Sequence, residues 1–111
     1  MTRNNNAKMT PKGRKNQIIQ AGVTYSEKNG YVTLQFGAVA DGLGISRALP
    51  FKYFKGLGDF RKSVMREALR TNNLNLIMQM MCMREKLVKK APPEILKQAV
   101  DLLGEPYGLR N

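Results

Sequence analysis

The run Tyr31-Val32-Thr33-Leu34-Gln35-Phe36 constrains the fold most, because it alternates without a break just after Asn29-Gly30. Asn-Gly is a hairpin signal, since both residues tolerate positive φ. A period of two puts Val32, Leu34 and Phe36 on one face and Tyr31, Thr33 and Gln35 on the other. That pattern predicts a strand with one buried and one wet face. Val23-Thr24-Tyr25 is β-prone and reads as its partner. Gly37 to Gly44 holds three glycines and Asp41, and reads as a loop. Ile45 to Leu49 reads as a third strand, which Pro50 ends or pushes to the sheet edge.

Helical punctuation follows. Asp59 is an N-cap or first-turn residue of a helix expected to reach Thr71. Phe60, Val64 and Ala68 make its apolar stripe. Asn72-Asn73 breaks the chain, and a second helix is expected from Leu74 to about Lys90. Pro92-Pro93 opens a third, ended by Gly104 and Pro106. The expected fold is α+β: a three-stranded antiparallel sheet packed on a helix, with a C-terminal helical extension and a basic N-terminal tail. The corresponding segments are a tail over 1–21, a sheet-plus-helix nucleic-acid-binding domain over 22–71, and the extension over 72–111.

Charge bears on partners. The net charge is +11 over 111 residues, and no acidic residue precedes Glu27. A small chain this cationic calls for a polyanion, nucleic acid foremost. The stretch from Thr2 to Gln17 carries Arg3, Lys8, Lys12, Arg14 and Lys15. It has no apolar centre, so no secretory signal is expected. It reads either as a nucleic-acid-binding arm, which is preferred and expected to order only on its partner, or as an organelle transit peptide. No apolar run approaches the roughly 20 residues that span a bilayer. Cys82 is the single cysteine, so no intrachain disulfide is possible and a reducing compartment is expected. There is no histidine, and one cysteine cannot build a zinc site alone. Neither a metal nor a cofactor is expected.

The same inventory argues against an enzyme. Without histidine there is no Cys–His pair, and the eight carboxylates lie mostly in surface-type contexts. A small-molecule substrate and a membrane are not expected partners. Candidate nucleic-acid contacts are the tail cations together with Lys52, Lys55, Arg61, Lys62, Arg66 and Arg70. The last three repeat at helical spacing, and repeated cations neutralise phosphates without sequence preference. The alternative reading of that row is a solvated helix face. Tyr31 could stack on a base, or merely support a sheet. Gly56-Leu57-Gly58-Asp59 matches no phosphate-binding fingerprint and reads as a capped turn. Met78, Met81 and Cys82 lie in a helix apolar enough to be core, or to form a protein interface.

Three stretches carry a family resemblance: Gly22 through Val32, then Ser46-Arg47-Ala48-Leu49-Pro50-Phe51, then Lys55-Gly56 with the helix ending near Leu69. Residues 22–71 resemble the apetala-two type domain of the ethylene-response-factor family, especially its apicomplexan branch. The resemblance implies a sheet laid into a DNA major groove, with Thr24, Ser26, Tyr31, Thr33, Gln35 and Arg47 facing outward. Only Arg47 on that face is basic. Small size, extreme basicity, a long polar tail and this weakened base-reading face together favour the expectation of a structural RNA-binding protein of a ribonucleoprotein, a mitochondrial ribosome, with protein neighbours there. The alternative is a nuclear, sequence-specific DNA-binding regulator. The third is a protein–protein adaptor using the Met-rich helix.

Overall fold

The computed structural model describes residues 9–107. Among them there is no strand, and the expected three-stranded sheet is replaced by five α-helices joined by short 3₁₀ turns. Helix α1 is Pro11–Asn29, α2 is Phe36–Leu43, α3 is Leu57–Arg70, α4 is Leu74–Cys82 and α5 is Pro93–Tyr107.

The tail and the first two expected strands fail for local reasons. Thr10 caps α1, its Oγ1 accepting from the Gly13 N–H at 3.0 Å, and Pro11 sits where a helix tolerates proline. The helix thus starts inside the expected tail and runs through Val23-Thr24-Tyr25. Its buried face is Ile18, Gly22, Val23 and Ser26. Two of those four are small or polar, so the stripe carries little hydrophobic signal, and packing overrides the β-propensity. Gly30, at φ +87°, ends α1 by donating to Ser26 O at 2.8 Å. The chain then makes one 3₁₀ turn, Tyr31–Thr33, rather than a hairpin. Alternation fails there. Tyr31 is buried and Val32 is 46% exposed, the reverse of the period-two reading.

The expected glycine loop is helix α2. Phe36, Val39, Ala40 and Leu43 fall at i, i+3, i+4 and i+7, and the first three are buried. Gly44, at φ +69°, ends it. The Gly44 N–H donates to Asp41 O at 3.2 Å and the Ile45 N–H to Ala40 O at 3.0 Å, a Schellman pair. The expected third strand is a turn leading into a second short helix, Leu49–Lys52.

Helix α3 matches the helix expected from Asp59. The Asp59 carboxylate accepts from the Lys55 N–H at 2.9 Å, which fixes the entry of the chain. Helix α4 stops early, at Cys82. Arg84 takes a left-handed φ of +57°, and its N–H donates to Met81 O at 3.1 Å while that of Glu85 reaches Met80 O at 2.9 Å. Residues Lys86–Lys90 continue as a 3₁₀ helix. Helix α5 passes the expected stop at Gly104.

The core gathers Ile18 and Val23 of α1, Phe36 and Val39 of α2, Phe60, Val64 and Ala68 of α3 and Leu76 of α4 around Leu34 and Phe54. Phe36 stacks on Phe60 with ring centroids 5.1 Å apart, and Phe54 meets Phe60 at 4.8 Å. Truncating a ring such as Phe60 to alanine costs about 3–5 kcal/mol. A second cluster of Tyr31, Met65 and Met80, with Leu69, Leu87 and Val88 against it, ties α4 and the turn after it to α3. Gln79 stitches the seam. Its Nε2 donates to Ser26 O at 2.9 Å, and its Oε1 accepts from the Tyr31 N–H at 2.9 Å.

Candidate nucleic-acid interface

Helix α2 and the 3₁₀ helix Leu49–Lys52 form two helices joined by five residues, Gly44 to Ala48. Ser46 holds the turn that leads into the second helix. Its Oγ accepts from the Ala48 N–H at 3.1 Å, and its carbonyl accepts from the Leu49 N–H at 3.1 Å. Further turns follow from Phe51 N–H to Ala48 O at 3.2 Å and from Tyr53 N–H to Pro50 O at 3.0 Å. The helix stays short and tight partly because Pro50 donates no hydrogen bond. Pro50 and Phe54 are buried, and Ile45 and Tyr53 pack against the core. The other side faces water. Ser46, Arg47, Ala48, Phe51 and Lys52 are exposed there. Phe51 is 60% exposed, yet its ring lies 4.6 Å from that of Phe36.

Cations flank this unit. Lys15 of α1 places its Nζ 5.5 Å from the centroid of Phe54, beside exposed Lys55. Lys12 is exposed one turn earlier, at the positive end of the α1 dipole. Arg14 is half-buried and donates to Gln17 Oε1 at 3.2 Å. The candidates Arg3 and Lys8 lie outside the described residues.

Arg47 is restrained. Its Nε donates to Asp41 Oδ1 at 3.1 Å and its Nη2 to Oδ2 at 2.6 Å, while both side chains stay open to solvent. The pairing holds the Asp41 carboxyl below its ordinary range, chiefly through the hydrogen bond.

The helical basic row does not act as a unit. Arg61 donates to Val32 O at 2.8 Å and Leu34 O at 3.3 Å, so it braces the turn before α2. Arg70 forks onto Glu67, Nε to Oε1 at 2.8 Å and Nη2 to Oε2 at 2.6 Å. Lys62 and Arg66 are exposed and make no ion pair among the described residues. They line a groove of about 460 Å³ with Met65, Arg84, Glu85, Lys86 and Leu87, apart from the helix pair.

The sheet face implied by the resemblance is not assembled. Thr24 and Ser26 lie on α1, with Ser26 buried. Tyr31 cannot stack on a base. Its ring is 3% exposed and its hydroxyl donates to Glu85 Oε2 at 2.5 Å. The phenol is pushed above its ordinary range, first by burial and then by that hydrogen bond. Thr33 is exposed and its hydroxyl donates to Asn29 O at 3.0 Å. Gln35 is exposed just before α2. Met78 and Met81 are half-buried and Cys82 is exposed, whereas Met80 between them fills the core.

What sequence reasoning missed was the helix pair and the exposure of Phe51. A signal existed: the i, i+3, i+4, i+7 spacing from Phe36 to Leu43, followed by glycine as a stop. No family model, no curated protein and no solved structure matches the chain.

Proposed function

We propose that this protein is a non-enzymatic DNA-binding protein that presents the helix Leu49–Lys52 to the major groove of a duplex. The observation that carries the reading is the pair itself. Helix α2 ends on left-handed Gly44, and five residues join it to the 3₁₀ helix Leu49–Lys52, whose inner side is buried at Pro50 and whose outer side presents Lys52 and the exposed ring of Phe51 beside Arg47. Two helices joined by a short turn containing glycine, three or four residues in the common form against five here, are a means of offering a helix to DNA. Arg47 and Lys52 are the proposed base and phosphate contacts. Lys12, Lys15 and Lys55 supply flanking charge.

Geometry favours DNA over double-stranded RNA. The B-form major groove is about 12 Å wide and admits a helix, whereas the A-form major groove is too narrow for side chains to read. Of the four grounds for a ribosomal role, the weakly basic sheet face is absent among the described residues, and part of the expected tail is helix α1. The reading therefore shifts from structural RNA binding to duplex DNA.

The test is fluorescence anisotropy with labelled duplex DNA, duplex RNA and single-stranded RNA. Duplex DNA should bind tightest. If roughly 6–10 phosphates are neutralised, affinity should fall by about 10³–10⁵ between 50 and 200 mM salt. Arg47→Ala with Lys52→Ala should weaken DNA binding far more than Lys62→Ala with Arg66→Ala. Tighter binding to either RNA, or equal losses from the two pairs, refutes the reading.

A further inference from the structure

We propose that Asp41 is a specificity-determining residue that acts through Arg47, withholding its guanidinium from non-specific phosphate contacts. The proposal rests on the DNA-binding reading above.

Arg47 stands in the turn just before the presented helix, and Asp41 in the last turn of α2. Both carboxylate oxygens are engaged, at 3.1 and 2.6 Å. Gly37 lies one turn before Asp41 on the same side of α2. A Cβ added there would sit 3.5 Å from Arg47 Cζ, so the guanidinium lies back along the Gly37–Asp41 ridge. The other exposed cations around the unit, Lys12, Lys15, Lys52 and Lys55, make no ion pair among the described residues. Arg47 alone is tied.

The fork that grips a carboxylate is also the fork that grips guanine O6 and N7 or two phosphate oxygens. A phosphate therefore offers Arg47 little that Asp41 does not. On a mismatched duplex Arg47 stays on Asp41, and the nearby carboxylate repels the backbone. On a site with guanine opposite Arg47, the base edge provides a matched acceptor and the fork exchanges. Discrimination is a difference of affinities, so lowering the non-specific term raises it.

The test is a double-mutant cycle of Asp41→Asn and Arg47→Ala in the full chain. A preferred duplex is selected from a randomised pool, and affinity is measured for it and for a scrambled duplex across salt. Asp41→Asn should steepen the log–log salt slope for the scrambled duplex by about 0.9, one added phosphate contact. It should also lower the ratio of preferred to scrambled affinity. In the Arg47→Ala background it should change neither. Equal effects in both backgrounds would reveal a simple field effect of the lost charge and overturn the proposal. So would a wild-type ratio of one, or wild-type binding that Asp41→Asn leaves unaltered. A wild-type protein that binds no duplex DNA overturns the DNA-binding reading itself, a distinct result. Circular dichroism on each variant confirms an intact fold, since both side chains are exposed.

Discussion

Gly22 of α1 and Val64 of α3 are packed so closely that a Cβ on Gly22 would stand 2.8 Å from Val64 Cγ2. The ring of Phe60 would be 2.9 Å away on the same side. The crossing of these helices seats Phe60 against the rings of Phe36 and Phe54.

Gly22→Ala should therefore destabilise the protein. Alanine gains about 0.5–1 kcal/mol over glycine within a helix, but overpacking costs about 1–3 kcal/mol. Phe60 and Val64 are fully buried and have little room to give. Urea denaturation should show a net loss. Adding Val64→Ala should make the two changes less than additive, since it removes the clashing methyl.

Gly44→Ala should cost about 1–2 kcal/mol through the backbone alone. The residue sits at φ +69° and an added Cβ would meet nothing within 4 Å. Denaturant melts would register the loss. DNA affinity should fall beyond it if the turn sets the angle of the presented helix.

Alkaline stability should depend on Tyr31. Its phenol is raised from 10.0 by burial and by Glu85, so the stabilisation is present below pH 10 and lost as pH rises further. The unfolded chain releases that proton first. Thermal melts between pH 8 and 11 should drop more steeply for the wild type than for Tyr31→Phe.

Acid stability should depend on Glu67. The Arg70 hydrogen bond, with one from Gln20 at 2.6 Å, lowers its carboxyl from 4.5. Its stabilisation is present above pH 4.5 and lost as pH falls through the depressed value. Glu67→Gln should flatten the stability profile below pH 5. An unchanged acid limb would mean that the α1–α3 bridge contributes nothing measurable.

The sequence by itself determined the charge of the chain and where the later helices begin. A net charge of +11 without histidine is independent of fold. The Phe60–Val64–Ala68 spacing and Asp59 marked α3, and Pro92-Pro93 marked the start of α5, because those signals are local. Between Pro11 and Phe54 tertiary structure decided most, although the Thr10 cap and the Phe36–Leu43 spacing with its Gly44 stop were local signals. Helix α1 buries Gly22 and Ser26, which leave almost no apolar stripe to read, and it is held by close contact with α3. Tyr31 and Val32 exchange sides because Tyr31 finds Met65, Met80 and Glu85, partners that lie more than thirty residues away in the chain. Such contacts outweigh a local preference for strand of well under 1 kcal/mol per residue. The fate of each cation was decided in the same way. Arg61 and Arg70 became structural because acceptors folded against them, while Lys52 makes no ion pair among the described residues.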